Sequence, residues 1–179
     1  MSIEVDAGGI ERAQMLLAGI PQAADKAVAN SLNRSIVAAR TAISKGIRSE
    51  YVVSAGDIKK NIRLDRATPG KLSASVTFKG AFLELTKFKV KFRKGRGIQA
   101  QIKRGRSFNL PHSFFVATGH AGTYHRSSKA SYPIDLEFGP SVPQMAGNAK
   151  VTEPAILRAQ DVFSRTLEHE IFARLEGYV

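Results

Sequence analysis

The sequence predicts an α+β protein: a long N-terminal helix packed on a mainly antiparallel β-sheet, with a C-terminal helix. Three observations predict it. Apolar residues recur at Ala24, Val28, Leu32, Ile36, Ala39, Ile43 and Ile47, the three-and-four spacing of one helical stripe. From Lys71 the period drops to two, which is the mark of half-buried strands. From Glu153 to Leu175 the helical period returns. Helices, then strands, then a helix argue for α+β rather than alternating βαβ units.

The long helix is read from Pro21 to Tyr51. Pro21 suits a first turn, where a missing N–H costs nothing. Asp25, Lys26, Asn33, Arg34, Thr41, Lys45 and Arg48 fall away from the stripe. About 30 residues make a rod of roughly 45 Å. Such a rod is marginal alone in water, so a sheet or a neighbouring subunit must cover the stripe. Each large aliphatic so buried contributes roughly 1.5–3 kcal/mol.

Upstream, Ser2-Ile3-Glu4-Val5-Asp6 alternates like a short edge strand. Gly8-Gly9 breaks it, and Ile10 to Leu17 reads as a short helix ended by Gly19. Downstream, Ser54 is placed to cap a helical turn over Ala55 to Ile62, with Asp57 at the third position. Thr68-Pro69-Gly70 reads as a turn. Leu72, Ala74, Val76 and Phe78 then alternate with Ser73, Ser75 and Thr77, and Lys79-Gly80 closes that strand. Leu83 and Leu85 keep one parity. Phe88, Val90 and Phe92 take the other, opposed by Lys87, Lys89, Lys91 and Arg93, so the strand breaks or bulges near Thr86. Lys94-Gly95-Arg96-Gly97 reads as a hairpin loop. Ile98, Ala100 and Ile102 return against Gln99, Gln101 and Lys103, and Arg104-Gly105-Arg106 leaves the sheet. Phe114 to Ala117 and Thr123 to Arg126 read as two further strands. Tyr132 to Met145 is rich in proline and reads as irregular, and Gly147-Asn148 is a break. The closing helix carries Ile156, Leu157, Val162, Phe163, Leu167, Ile171 and Leu175 on its apolar side. No repeat period is visible.

The 179 residues suit a single domain with an arm. Residues 1–19 form the arm, 20–62 a helical part, 71–145 the sheet with a basic hairpin at 87–106, and 150–177 the C-terminal helix. The chain has no cysteine, so disulfides and thiolate chemistry are excluded. It shows no signal-peptide layout and no stretch long enough to span a bilayer. It therefore reads as soluble, made in the cytoplasm, with no membrane partner.

The formal charge is +12 and unevenly placed. Between Glu84 and Asp135 there is no acidic residue but eleven basic ones. Charge so polarised implies a partner of opposite sign, either nucleic acid or an acidic protein face. The candidate contact residues are Lys87, Lys89, Lys91, Arg93, Lys94, Arg96, Lys103, Arg104 and Arg106. If eight neutralised phosphates, log affinity would fall with log salt at a slope of roughly −7. The alternatives are a solvated face whose lysines protect a sheet edge, and a charge-matched protein interface. Composition leaves the three open.

No catalytic set is visible. His112, His120 and His125 lie close in sequence, but no carboxylate or thiol accompanies them, so they read as loop histidines rather than a metal site. Glu168-His169-Glu170 lacks the second histidine of a zincin helix. No nucleophile elbow and no phosphate-cradling glycine loop is present.

The run Tyr132-Pro133-Ile134-Asp135-Leu136-Glu137-Phe138-Gly139-Pro140-Ser141-Val142-Pro143-Gln144-Met145 resembles the hallmark of the minor tail protein Z family of tailed bacteriophages. Ala29 to Arg34 with Ala38 to Thr41, Tyr51 to Lys60, and Phe114 to Ala117 with Gly119 to Gly122 and His125-Arg126 are similar to other parts of that family. The resemblance runs from about Ala23 to Met145. It implies a structural virion protein of the tail or neck, acting late in tail assembly at the head-proximal end and needed for joining tail to head. It implies no catalysis and no cofactor. Its partners would be other tail or neck proteins and, transiently, phage DNA. The six-fold symmetry of such tails implies a ring of six copies. On this reading the two prolines of Gly139, Pro140, Ser141, Val142, Pro143, Gln144 and Met145 stiffen a loop that serves as a subunit contact.

Overall fold

The computed structural model describes residues 8–20, 22–93 and 97–177, without the side chain of Arg93. The predicted Ser2–Asp6 strand, Pro21 at the helix start, and the loop residues Lys94, Gly95 and Arg96 lie outside the described residues. The fold is α+β, and every strand pair in it is antiparallel. The chain forms two compact units: Met1–Ile43 with Ile62–Phe78 and Ala149–Val179, and Ser44–Asn61 with Lys79–Asn148.

The first unit is built on helices. Helix α1 is Gly8–Leu16, so it takes in the two glycines that were expected to break the chain. Helix α2 is Ala23–Glu50. It continues past Ile43, and its last turns belong to the second unit. Of its predicted stripe, Val28, Leu32, Ile36, Ala39, Ile43 and Ile47 are buried, and Ala24 is half-buried. Ser31 and Ser35, also buried, return their hydroxyls to Ala27 O and Leu32 O at 2.7 and 2.8 Å, so neither leaves a polar group unpaired.

Strands β1 (Ile62–Asp65) and β2 (Ser75–Phe78) pair from Ile62 with Phe78 to Asp65 with Ser75. Strand β1 has only its first residue, Ile62, within the helical part expected from the sequence; Arg63, Leu64 and Asp65 fall in no expected element. It shows no period of two to reveal it, because three of its four residues are half-buried. Thr68 and Lys71 exchange two backbone hydrogen bonds around the predicted turn. The Asn33 amide donates to Ala67 O and accepts from Ala67 N, both at 2.9 Å, which ties this turn to α2.

Helix α5 is Ala149–Leu175, within one residue of the expected start at 150 and one turn before Glu153, where the helical period becomes visible. Val151 and Thr152 are buried there, and this burial extends the helix upstream of Pro154. The buried row is Val151, Ala155, Ala159, Phe163, Leu167 and Ile171, spaced by four throughout. The predicted apolar side is corrected accordingly. Leu157 and Leu175 are exposed and Ile156 and Val162 half-buried, because the two alanines admit closer packing than larger side chains would. Phe163, Leu167 and Ile171 join Ala13, Leu17, Ala27, Val28 and Leu32 in one core.

The second unit carries the sheets. Helix α3 (Ala55–Lys60) is capped as predicted: Asp57 N donates to Ser54 Oγ at 3.0 Å. It ends at Lys60 rather than at Ile62. Strand β3 (Phe82–Glu84) runs into a 3₁₀ turn over Leu85–Lys87. This is the predicted break near Thr86. It lets Leu85 and Phe88 both point inward. Strands β4 (Lys89–Arg93), β5 (Gly97–Gln101) and β6 (Phe108–Leu110) form one sheet. Strands β7 (Ser113–Val116), β8 (Gly122–Arg126) and β9 (Ile134–Leu136) form another. Strand β10 (Phe138–Ser141) pairs with β3 and leads into α4 (Val142–Ala146).

Tyr132 to Met145 is therefore not irregular. It holds β9, β10 and a capped helix. Two of its prolines are compatible with this, since Pro140 sits in a strand that among the described residues pairs with β3 alone, and Pro143 lies in the first turn of α4, where its missing N–H is harmless.

Candidate functional site

The described cationic candidates sit in the 3₁₀ turn before β4 (Lys87), on β4, and on the exit from β5 (Lys103, Arg104 and Arg106). Lys89 pairs with Gln101, and Lys91 with Gln99. The pleat therefore sets these four side chains on one face, with Asn109 following from the pairing of Gln99 with Asn109. Lys89, Lys91, Gln99 and Gln101 line a shallow cleft of about 180 Å³ together with Ser107. The opposite face carries Val90, Phe92, Ile98, Ala100, Phe108 and Leu110. Ile98 and Ala100 are buried, yet Phe92, the direct partner of Ile98, is 63% exposed, so burial of this face reaches the hairpin end on β5 but not on β4.

The nine predicted contact residues separate. Lys87, Lys89, Lys91 and Arg106 are exposed. No ion pair engages them among the described residues. Lys103 and Arg104 are tied to the end of α2. The Lys103 ammonium lies 5.9 Å from the centre of the Tyr51 ring. Arg104 N donates to Glu50 O at 2.8 Å, and Arg104 Nε donates to Arg48 O at 2.6 Å. A cation at the last carbonyls of a helix completes its C-terminus. The side chain of Arg93, and Lys94 and Arg96 entirely, fall outside the described residues.

The segment Gly139 to Met145 has two sides. Gly139, Ser141, Val142 and Met145 are buried, Pro140 and Pro143 half-buried, and Gln144 exposed. A Cβ on Gly139 would lie 2.4 Å from Phe88 Cε2, so glycine is needed for β10 to reach that ring. Ser141 and Gln144 form a reciprocal capping box: Ser141 N donates to Gln144 Oε1 at 3.0 Å, and Gln144 N to Ser141 Oγ at 3.4 Å. Beside it Phe138 is 52% exposed.

Two histidines gain carboxylates that the sequence did not place near them. His120 Nε2 lies 3.0 Å from Glu84 Oε1. His125 Nδ1 lies 3.3 Å from Glu137 Oε1, though off hydrogen-bond alignment. These partners are 36 and 12 residues away; the antiparallel β8–β9 pairing brings Glu137 beside His125, and His120 meets Glu84 from the loop between β7 and β8. Ser113 Oγ donates to Glu137 Oε1 at 2.8 Å. The serine proton thus goes to the carboxylate, which is not the serine-to-imidazole arrangement of a nucleophilic triad. Among the described residues no three His, Cys, Asp or Glu are placed to hold a metal ion. No helix among them is long and apolar enough to cross a membrane.

Charge divides sharply between the units. The second unit holds sixteen Lys and Arg and five Asp and Glu, a formal +11, and the first holds eleven and ten, +1. In the first unit a largely apolar groove of about 550 Å³ runs along α1 and α5, lined by Leu16, Phe163, Leu167, Ile171, Phe172 and Leu175.

The family model of the prophage minor tail protein Z matches residues 8–179, nearly the whole chain. The chain belongs to the prophage minor tail protein Z family. Membership gives it a structural role in a phage tail, where it meets other phage proteins. The match spans α1 to α5, so the helical unit and the cationic unit both belong to the minor tail protein Z pattern. No curated protein matches the chain, and no solved structure does.

Proposed function

We propose that this minor tail protein Z chain completes the head-proximal end of the tail and supports head–tail joining, as a ring of identical subunits, six in number. It acts without catalysis or cofactor, with residues 1–179 serving as one tail-protein domain. It is made in the host cytoplasm and resides in the tail or neck of the virion. The family match over residues 8–179 carries this reading. Exposed apolar surface supports it. Leu16, Phe172 and Leu175, which line the α1–α5 groove, are exposed, as is Met15 elsewhere on α1, and such patches mark contact surfaces.

Subunit contact at Gly139, Pro140, Ser141, Val142, Pro143, Gln144 and Met145 fits the division seen there. The buried members hold the shape, and Gln144 with the outer parts of Pro140 and Pro143 meets the neighbour. The cationic face of Lys87, Lys89, Lys91 and Arg106 turns toward a polyanion, either passing DNA or a neighbour's acidic surface. Negative-stain images of tails assembled without this chain test the proposal, with an incomplete head-proximal end as the expected result. A chain that is strictly monomeric in solution and within isolated tails would refute the ring.

A second reading, a stand-alone nucleic-acid-binding protein using the hairpin 87–106, is favoured by the unpaired cations on β4. It expects micromolar binding with a steep salt slope, abolished by Lys→Glu at positions 87, 89 and 91. A flat salt dependence removes it.

A further inference from the structure

A second cationic place lies in the second unit, on the other side of the β4–β5 hairpin from Lys89 and Lys91. It is an open concavity of about 620 Å³ lined by Phe92, Pro111, His112, Phe114, Arg126 and Lys129, with smaller residues between them. None of the described residues lining it is acidic. The Arg126 guanidinium sits 4.8 Å from the centre of the Phe114 ring. This stacking orients the group while leaving its edge donors for a ligand. His112, Arg126 and Lys129 are exposed, and Phe92 is the most exposed phenylalanine of β4–β6. The carboxylate nearest in sequence, Asp135, pairs with His125 across β8–β9. It therefore points to the opposite face from Arg126 and accepts from Ser127 there.

We propose that this concavity binds an unpaired nucleic-acid strand, one base stacking on the Phe92 ring and the flanking phosphates held by Arg126 and Lys129. Cations around a bare aromatic ring are the recognition set for single strands. Solvated lysines alone would need no ring, and a duplex offers its phosphates but keeps its bases stacked. The volume is that of a small-ligand site, which admits a nucleotide or two and not a double helix. The site lies outside the residues of the basic hairpin face, and it does not depend on ring formation.

Fluorescence anisotropy of the full chain with a labelled 20-nucleotide mixed-sequence DNA strand, its duplex, and a labelled Glu-rich peptide tests this. The strand is expected to bind more tightly than the duplex. Phe92→Ala should weaken the strand roughly 5- to 150-fold with the salt slope unchanged. Arg126→Gln with Lys129→Gln should reduce the slope by about 1.4, two contacts at about 0.7 each. Circular dichroism checks that each variant is folded. Lys89→Gln with Lys91→Gln, on the opposite face, should leave the Phe92→Ala effect intact. Duplex bound as tightly as the strand overturns the proposal. So does indifference of strand binding to Phe92 and Arg126, or a Glu-rich peptide bound more tightly than the strand through Arg126.

Discussion

Removal of the Glu170 carboxylate should cost this protein more than any surface change. Glu170 lies on α5 with its side chain 10% exposed, 2.5 Å from Arg174 Nη1, whose side chain is 4% exposed. Asn30 on α2 donates to the same Oε2 at 3.1 Å. Arg34, largely exposed and 3.9 Å away, adds little through solvent. Burial pushes the Glu170 carboxyl up. The hydrogen bonds from Asn30 and Arg174, and the attraction of Arg174 and Arg34, outweigh this and hold it below the ordinary 4.5.

Glu170→Leu leaves the Arg174 guanidinium buried without a counter-charge. Stranding one member of a buried pair costs about 3–5 kcal/mol, or roughly 6–20 °C in Tm for a chain of this size. Glu170→Leu with Arg174→Met removes both charges and should recover most of that loss. Thermal and urea denaturation followed by circular dichroism read both. A single variant within about 1 kcal/mol of the parent would refute the reasoning, as would a double variant no better than the single. The pH dependence has a definite sign. The folded pKa is depressed, so this stabilisation is complete above pH 4.5 and is lost as pH falls through the lowered value. Glu170→Gln should flatten that acid limb.

Gly139→Ala should destabilise by about 1–3 kcal/mol, because the new methyl would meet Phe88 Cε2 at 2.4 Å; Phe88→Leu in the same chain should relieve part of it. Asn33→Ala leaves the buried backbone N–H and C=O of Ala67 unpaired and should cost about 1–3 kcal/mol in urea denaturation. Ser54→Ala removes the cap of α3 and should cost about 1 kcal/mol, with Ser54→Thr largely retained.

What the sequence determined by itself are the features written in local period. The stripe of α2 is buried where its spacing puts it. The parity change near Thr86 is a real turn, and Ser54 with Asp57 caps α3. The concentration of positive charge is a matter of counting, and the minor tail protein Z resemblance rested on a contiguous string.

Tertiary structure decided whatever depends on which distant segment comes alongside. β9, β10 and the capped α4 hid behind prolines, because a proline's cost in a strand depends on which side is paired. The buried row of α5 hid behind its alanines, whose value lies in letting a neighbour approach. Glu84 reached His120 across the fold from strand to loop, and Arg126 was stacked on Phe114 through the β7–β8 register. The confinement of nearly all net charge to one unit required knowing that Ser44–Asn61 and Lys79–Asn148 fold together. Short-range periodicity encodes which face of an element is apolar, and it carries no record of what that face, or its polar opposite, will meet.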